Sequence, residues 1–279
     1  MKTGLVLEGG GMRGIYTAGV LDVLMEQDIH FDGVVGVSAG AIHGCSFVSR
    51  QHGRSIRYYC KYCRDKHFMS LYSLLTTGNL VGEDFCYHQI PEKLDPFDEE
   101  AFANSTTRFY AACTDVETGR PVYVRIRRMK EGVRYLMASA SMPLVSRIVE
   151  VGGRKLLDGG IADSIPLRAF QRAGYEKNLV VLTRPAGYRK KETRNLLGKA
   201  AYHRYPAFVR AMGLRPRRYN ATLEYIARQE EEGNIFVIRP SRDLHVGRTE
   251  KNPDRLRELY QLGREDTEAA LKRLQEFLP

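Results

Sequence analysis

The sequence lacks any apolar run that approaches the roughly 20 residues of a membrane-spanning helix. It also lacks the apolar region of a secretory signal peptide, because its first apolar run ends at Glu8 within a glycine-rich turn. Hydrophobic residues make up 43% of the chain and the mean hydropathy is −0.37, which is typical of a soluble globular protein. We therefore expect a cytoplasmic protein without a transmembrane segment.

Cysteine is scarce, and its five residues are an odd number that cannot all pair within the chain. Free, packed thiols are typical of a reducing compartment. Cys60 and Cys63, with His67 one turn further on, raise the question of a metal site. Cys86 and His88 are conceivable additional ligands. Because structural zinc uses four ligands and this spacing matches no common site, we expect no bound metal.

Acidic residues are almost absent between Arg184 and Arg218, where Glu192 is the only one. Eleven Lys and Arg residues lie in this stretch, the basic segment, and they account for the whole net charge of +10. A charge run is usually a solvated face. Polybasic segments also bind anionic phospholipid, at about 1 kcal/mol per basic residue. The segment therefore predicts a solvated face or a peripheral membrane contact. No base-reading motif accompanies it, so specific nucleic-acid binding is not expected.

Internal repeats, low-complexity tracts and flexible linkers are absent as well, so we predict a single domain over residues 1–279. It would comprise a motif-bearing core at about 4–185, a basic helical region at about 186–232, and a C-terminal strand and helix at about 233–279. Predicted strands alternate with predicted helices. This alternation favours a three-layer α/β/α fold with a mainly parallel central sheet and ligands at the carboxyl ends of its strands.

The individual elements follow from apolar periodicity and from turn residues. Strands are predicted at about 4–8, 33–37, 110–113, 122–124, 179–182 and 235–238, with a hairpin at 149–157, and helices at about 14–27, 38–50 and 54–66. A loop is predicted at 68–82, and the basic helical region should break at Pro206 and Pro216. Asn252 followed by Pro253 predicts the start of a terminal helix that runs almost to Pro279.

Two glycine-rich turns, Gly9–Gly14 and Gly36–Gly40, are the most informative feature of the chain, because each follows an apolar strand and precedes a helix. Such turns point backbone N–H groups at whatever lies above a helix N-terminus, a position suited to negative charge. The second turn also exposes the hydroxyl of Ser38 at its sharpest point, as a serine nucleophile requires. One turn can therefore stabilise an oxyanion while the other carries the attacking atom.

The first turn alone also satisfies G-x-G-x-x-G, the fingerprint of dinucleotide binding. That fingerprint needs an acidic residue at the end of the second strand to bind the ribose. Asp32 precedes this strand instead, and Val37 and Ser38 stand where the acid should be. A Walker phosphate loop is excluded sooner, because no Lys-Ser/Thr pair follows the glycines.

A serine nucleophile needs a base, and the sequence offers two solutions. His203 or His245 would complete a triad in the order of the α/β-hydrolases. Alternatively, Asp158 follows an apolar strand, precedes Gly159 and Gly160, and would act directly as a carboxylate base. Spacing alone leaves both solutions open.

Glu8–Gly14, Gly36–Gly40 and Asp158–Gly160, in this order, resemble the three signatures of the patatin-like phospholipase family, which often has Asp in place of Glu8. Residues 138–143 resemble the stretch that usually precedes the aspartate in that family. The resemblance covers about residues 4–185, and the region beyond it resembles no motif of the family.

The resemblance implies a patatin-like fold and a serine hydrolase of lipid acyl esters, of the phospholipase A, lysophospholipase or esterase type, without metal or organic cofactor. It implies Ser38 as nucleophile and Asp158 as general base, without a histidine. Gly10 and Gly11 would donate to the oxyanion, and Arg13 would order their loop. The other implied residues are Gly9 and Gly14 in the oxyanion loop, Gly36, Ala39 and Gly40 at the nucleophile elbow, and Gly159 and Gly160 after the base.

A hypothesis from a different class remains. The amide-lined turn and the basic segment would also suit a non-catalytic protein that binds an anionic ligand, such as a nucleotide or a lipid headgroup. The two hypotheses differ in one observable, namely whether Ser38 becomes covalently acylated.

Overall fold

The computed structural model describes residues 1–192 and 196–279, and eight strands in these residues form one sheet. They are β1 (Thr3–Leu7), β2 (Gly33–Val37), β3 (Arg108–Asp115), β4 (Pro121–Ile126), β5 (Val149–Val151), β6 (Arg154–Asp158), β7 (Lys177–Val181) and β8 (Ile235–Ile238). Their order is β5-β6-β3-β2-β1-β7-β8, with β4 on the other edge of β3. The pairings from β3 to β8 are parallel, and those of β4, β5 and β6 are antiparallel.

Helices connect these strands. They are α1 (Ile15–Glu26), α2 (Ala39–Val48), α3 (Arg54–Tyr62), α4 (Leu71–Thr77), α5 (Glu99–Asn104), α6 (Met129–Ala140), α7 (Leu167–Arg172), α8 (Leu196–Ala201), α9 (Pro206–Glu231) and α10 (Pro253–Phe277). Short 3₁₀ turns lie at Gly11–Gly14 and Gly159–Ile161, and a π-helical stretch lies at Phe85–Leu94. Within the described part of the chain, no helix is both long and apolar enough to cross a membrane.

Alternating side chains of the central strands bind helices to both faces of the sheet. Leu5 and Leu7 of β1 lie in a buried cluster with residues of α1, α2, α3 and α10. Val6, between them, lies in a second cluster with Phe170 of α7 and Ile226 of α9. The predicted α/β/α architecture with a mainly parallel sheet is therefore confirmed.

Helix α1 is buried on all sides from Ile15 to Met25. The reason is α10, which packs along its length. A Cβ on Gly19 would collide with the carbonyl oxygen of Tyr260, so the two helix backbones are in contact there. At the end of α1, Arg264 donates two hydrogen bonds of 2.8 Å to Glu26. The terminal helix is thus part of the core.

The prediction of a loop at 68–82 is wrong, because this stretch contains α4. The hydroxyl of Ser70 accepts a hydrogen bond of 3.0 Å from the N–H of Ser73 and caps the first turn. Gly78, with φ of +80°, ends the helix. Both signals are present in the sequence, but the segment is only one and a half to two turns long, too short for a clear apolar periodicity.

The predicted break at Pro216 is also wrong. Helix α9 begins at Pro206, as expected, but continues through Pro216 to Glu231. A proline inside a helix removes the hydrogen bond to the carbonyl four residues earlier, here that of Met212. Pro216 is buried against the rest of the protein, and tertiary packing supplies most of the stability of a helix in a folded protein.

The other predicted strands and helices are present, although the helix predicted at 54–66 already ends at Tyr62. The predicted start of the terminal helix is confirmed in detail. The side chain of Asn252 accepts a hydrogen bond of 3.0 Å from the N–H of Asp254, and Pro253 occupies the first turn.

Candidate active site

Strand β3 brings the ends of two other strands together. β2 runs parallel to β3, and its last residue, Val37, pairs with Ala112. β6 runs antiparallel to β3, and its last residue, Asp158, pairs with Cys113. Because β4 occupies the opposite edge over the same stretch, β2 and β6 share one edge of β3 and meet end to end. Ser38 follows Val37, so the register places Ser38 and Asp158 at the same junction.

Ser38 lies on a sharp turn between β2 and α2. Its φ of +54° and ψ of −123° are rare for a residue other than glycine. Such strain persists only where the surroundings impose it. Here the N–H of Ser38 donates to Ser139 Oγ at 2.9 Å, and that hydroxyl donates to the carbonyl of Ala112 at 2.6 Å. This is the local geometry expected of a nucleophile elbow.

The two glycine-rich turns pack against each other. A Cβ on Gly40 would lie 2.5 Å from the carbonyl oxygen of Leu7, and one on Gly9 would lie 2.8 Å from that of Val37. Neither approach is sterically tolerable, so larger residues at these positions would separate the turns. The N–H group of Gly10, which lies at a helix N-terminus, donates to no backbone carbonyl in residues 1–192 and 196–279.

Asp158 is held by its own backbone. Its N–H donates to the carbonyl of Ser141 at 2.9 Å, and its carbonyl accepts from Thr114 Oγ1 at 2.8 Å. Its carboxylate accepts a hydrogen bond of 2.7 Å from the N–H of Gly160. Within the described residues, no hydrogen bond joins Asp158 to Ser38 Oγ, a common condition in unliganded active sites, where such bonds tighten only around substrate.

A cavity of about 660 Å³ lies over this junction. The predicted site residues that line it are Gly9, Gly10, Gly11, Arg13, Ser38, Asp158 and Gly160. Gly14, Gly36, Ala39, Gly40 and Gly159 lie in the same turns without lining the cavity. Part of the wall is apolar and consists of Val37, Met142, Pro143, Val145, Ile161 and Met212. Arg13 lines the cavity, and its role in ordering the glycine loop stays a prediction.

Glu8 connects the glycine loop to two distant parts of the fold. Its carboxylate accepts hydrogen bonds from the N–H of Thr183 at 2.6 Å, from Thr183 Oγ1 at 3.1 Å and from the hydroxyl of Tyr219 at 2.7 Å. Burial, together with the adjacent Glu8 carboxylate, raises the pKa of Tyr219 well above its usual value, so the phenol remains a donor. The sequence contains no signal for this contact, which spans 211 positions.

No histidine in the described residues lines this cavity. His203 is exposed and lies beside the carbonyl of Ala200, and His245 is exposed beside Asp243. His43, in α2, is fully buried with Nδ1 3.0 Å from Ser55 Oγ, and burial lowers its pKa to about 3.

The residues that the sequence analysis considered for dinucleotide or metal binding have other partners in the structure. Asp32 lies before β2, where its carboxylate accepts hydrogen bonds from Thr3. The thiols of Cys63 and Cys86 donate to the backbone carbonyls of Lys251 and Phe68. In the described part of the chain, no group of three or more His, Cys, Asp or Glu side chains is arranged to bind a metal ion.

The basic segment divides into residues that face the cavity and residues that do not. Those that line it are Arg184, Arg189, Lys190, Lys191 and Arg215. Lys199, Arg204, Arg210, Arg217 and Arg218 do not, and Arg194 lies outside the described residues. Arg248, which no sequence signal indicated, also lines the cavity. Contact of the remaining basic residues with a membrane stays a prediction.

Comparison with known proteins identifies the family of the chain. The family model described as "Patatin-like phospholipase" matches residues 5–170, which is more than half of the chain. The chain belongs to the patatin-like phospholipase family. Membership places it among lipid hydrolases in general. A second model, a domain of unknown function (DUF6363), matches residues 205–279 of this patatin-like protein.

The relatives of this patatin-like protein differ greatly in length. An uncharacterised protein of Escherichia coli, YjjU, is 28% identical over 274 residues, which are 94% of this chain and 75% of that protein. The lysophospholipase NTE1 of Saccharomyces cerevisiae is 28% identical over 181 residues, which are 61% of this chain and 10% of that protein. The chain thus spans about a tenth of the length of that relative. The crystal structure of VipD from Legionella pneumophila superposes with a TM-score of 0.46 at 12% identity, over 98% of this chain and 67% of that one.

Proposed function

We propose that this protein hydrolyses acyl esters of lipids through a Ser38–Asp158 dyad and an acyl-enzyme. The observation that carries the proposal is the end-to-end junction of β2 and β6 on one edge of β3, which sets both side chains in the wall of one cavity. The strained elbow at Ser38 and the absence of histidine from that wall in the described residues support it.

In this mechanism Ser38 Oγ attacks the ester carbonyl, and Asp158 accepts its proton. The tetrahedral oxyanion is stabilised by the N–H groups of Gly10 and Gly11, and loss of such a donor typically costs about 3–4 kcal/mol of transition-state stabilisation. The alcohol or lysolipid leaves with the proton. Water, activated by the same carboxylate, then releases the fatty acid from Ser38.

Two further observations favour a lipid ester over other acyl esters. Apolar side chains, including Met142, Pro143 and Val145, form the part of the cavity wall against which an acyl chain can lie. In addition, several of the relatives are lysophospholipases. Monoacyl phospholipids are therefore the first substrates to assay.

The experiment that tests the dyad is labelling with a fluorophosphonate, with the adduct located by mass spectrometry. We expect an adduct on Ser38 in the wild type, no adduct at position 38 in Ser38→Ala, and strongly slowed labelling in Asp158→Asn. Labelling should survive in the double variant His203→Ala/His245→Ala, because neither imidazole reaches the cavity.

Asp163→Asn is a matched control for the carboxylate. Asp163 lies five residues after Asp158, accepts a hydrogen bond of 2.6 Å from Tyr123 and does not line the cavity. The amide oxygen of asparagine can still accept the hydrogen bond from Tyr123, so the replacement is mild. Equal labelling rates in the two Asp→Asn variants would contradict the assigned role of Asp158.

A non-catalytic, anion-binding function is the second candidate, and the many cations that line the cavity favour it. Folded wild-type protein that gives no adduct on Ser38 and releases no fatty acid from any ester would select this candidate over the hydrolase.

A further inference from the structure

Seven cationic side chains converge on the cavity that contains Ser38. They are Arg13, Arg184, Arg189, Lys190, Lys191, Arg215 and Arg248, and we call them the cation cluster. They come from four separate places in the chain: the turn before α1, the segment after β7, helix α9 and the loop before α10. Such convergence from distant positions is unlike a solvated face, whose charges lie along one exposed surface.

Acidic groups neutralise the cation cluster only in part. The acids that line the cavity among the described residues are Glu8 and Asp158. The Glu8 carboxylate is occupied by Thr183 and Tyr219, and one oxygen of Asp158 accepts the N–H of Gly160. In the part of the chain that the structure describes, salt bridges within 4.0 Å are formed by only one member of the cluster, Arg184, which lies 3.5 Å from Asp243.

Three guanidinium groups of the cluster have a buried donor without a partner. The Nε atoms of Arg13, Arg184 and Arg215 are buried and make no hydrogen bond in the described residues. Buried donors of this kind are rare in folded proteins and each needs an explanation. An anion in the cavity is the partner that guanidinium groups bind most strongly, often through two parallel hydrogen bonds.

Mutual repulsion raises the electrostatic cost of leaving the cavity empty. Burial first, then the neighbouring arginines, lowers the pKa of Lys190 to about 7 and that of Arg13 to about 10. Burial also lowers the pKa of Arg215, which the nearby Asp158 carboxylate partly opposes. An anion that enters the cavity relieves this repulsion.

The segment after β7 is held in place over the cavity by α9. The backbone of Lys190 forms two hydrogen bonds with the side chain of Asn220, of 2.8 and 3.0 Å. The ammonium group of Lys190 lies 3.8 Å from the centre of the Tyr219 ring, at cation–π distance. The cluster is therefore partly organised before any ligand binds, which lowers the entropic cost of binding.

We infer that the cation cluster binds a phosphate group of the acyl-ester substrate and that the protein prefers lipids with a net negative headgroup over zwitterionic ones. The inference rests on the proposed function and adds the charge of the substrate to it. A phosphate offers several acceptor oxygens to guanidinium groups from different directions, whereas a zwitterionic headgroup also brings a cation into a cavity that repels it. The apolar wall at Met142 and Met212 leaves room for the acyl chain.

The test compares three esters of one acyl chain below their micellar concentrations. They are monoacyl glycerophosphoglycerol, which is anionic, monoacyl glycerophosphocholine, which is zwitterionic, and the uncharged p-nitrophenyl ester. We expect kcat/KM of the wild type to be at least about tenfold higher for the anionic than for the zwitterionic lipid, because both carry the phosphodiester and only the zwitterionic one adds a cation that the cluster repels. A ratio near one with active hydrolysis of the p-nitrophenyl ester would overturn the inference and leave the proposed function standing.

Variants locate the preference in the cluster. Arg215→Gln combined with Arg248→Gln should reduce the anionic-to-zwitterionic ratio by about tenfold or more, and Arg215→Lys should keep part of it. Arg217→Gln is the matched control, because Arg217 lies on the same helix, pairs with Glu192 at 2.7 Å and does not line the cavity. Thermal unfolding of each variant checks that the fold is intact. An unchanged ratio in a folded double variant would overturn the inference.

Inorganic phosphate distinguishes a lipid headgroup from free phosphate as the occupant. It should inhibit hydrolysis of the p-nitrophenyl ester in the wild type, and less in the double variant, when sodium chloride keeps the ionic strength constant. Inhibition by phosphate without any preference between the two lipids would indicate a site for free phosphate and would overturn the assignment to substrate. Failure to hydrolyse any of the three esters, with no fluorophosphonate adduct, would instead overturn the proposed function itself.

Discussion

Two parts of the chain form the cavity, and they are built by different means. Within residues 5–170, Ser38 and Asp158 are positioned by backbone register, a strained turn and close glycine contacts. Between Arg184 and Arg248, the cations are positioned by side-chain contacts such as that of Lys190 with Tyr219. The difference reflects how steeply each interaction depends on distance. Nucleophilic attack tolerates misplacement of well under 1 Å, whereas charge acts over several ångströms and needs a less rigid support.

The largest expected effect is a loss of activity on changing the residues positioned by the backbone within residues 5–170. Ser38→Ala and Asp158→Asn should each reduce kcat by about a thousandfold or more, because a nucleophile and its base act as a unit. Steady-state hydrolysis of the p-nitrophenyl ester measures the loss. Their free energies of unfolding should stay close to that of the wild type. Loss of activity accompanied by unfolding would mean that these residues are structural.

The next largest effect is expected where α1, in the region matched by the patatin-like model, packs against α10, in the region matched by DUF6363. Gly19→Ala would push a methyl group into the Tyr260 carbonyl and should cost about 3 kcal/mol of stability, as overpacking does in tight cores. Gly213→Ala is the control, since Gly213 lies within α9 with open space around its Cα. It should stabilise the protein by about 0.5–1 kcal/mol. Urea unfolding measures both, and equal effects would refute the close approach of the helices.

A smaller effect is expected where the cation-bearing part meets the glycine loop. Tyr219→Phe removes the hydroxyl that donates to Glu8 and should cost about 1.5–3 kcal/mol, because the acceptor is charged. Tyr225→Phe, on the same helix, removes a 2.7 Å hydrogen bond to the neutral side chain of Gln171 and should cost about 1 kcal/mol. The two losses are compared by denaturant unfolding. A larger loss in Tyr225→Phe would contradict the assigned importance of the Glu8 contact.

The smallest predicted effect is a pH dependence of substrate preference. Because the pKa of Lys190 is lowered to about 7, its ammonium group is charged below that pH and neutral above it. The charged groups that face it are Arg13, Arg215, Arg248 and Glu8, with Tyr219 beneath it and Asn220 at its backbone. The preference for the anionic lipid should therefore fall a few-fold as the pH rises through about 7.

Measuring the ratio of kcat/KM for monoacyl glycerophosphoglycerol to that for the p-nitrophenyl ester isolates this effect, since a phosphodiester keeps its charge over the range and the common chemistry cancels. Lys190→Met should give a lower ratio that changes little between pH 6 and 8. A wild-type ratio that does not fall over this range would show that the charge of Lys190 does not contribute to the preference.

Much of the fold was predictable because its signals are local. Apolar runs, glycine turns and the Asn252 cap identified most strands and helices, and the ordered motifs indicated the patatin-like architecture. The two wrong predictions, at 68–82 and at Pro216, concern a helix of seven residues and a helix kept intact by packing. The first is too short for a clear apolar periodicity, and in the second tertiary contacts outweigh local preference.

The site was predictable to a different degree in its two parts. The residues of the glycine turns and Asp158 were identified from motif order, although their roles remain proposals. The sequence did not identify Arg248 as a residue that lines the cavity, nor the contact of Glu8 with Tyr219. It also did not show that about half of the basic segment lines the cavity. A count of charges gives their sum along the chain and contains no information on which face of the fold they reach.

By itself, the sequence determined which residues can react and where strands and helices begin, because glycine, proline and apolar periodicity restrict the backbone locally. Only the tertiary structure decided that β2 and β6 meet on one edge of β3, since strand register depends on packing against distant partners. It also decided that cations from four places in the chain surround Ser38. The reason is that these cations are far apart in the sequence, and a charge pattern along the chain does not show which of them the fold brings together.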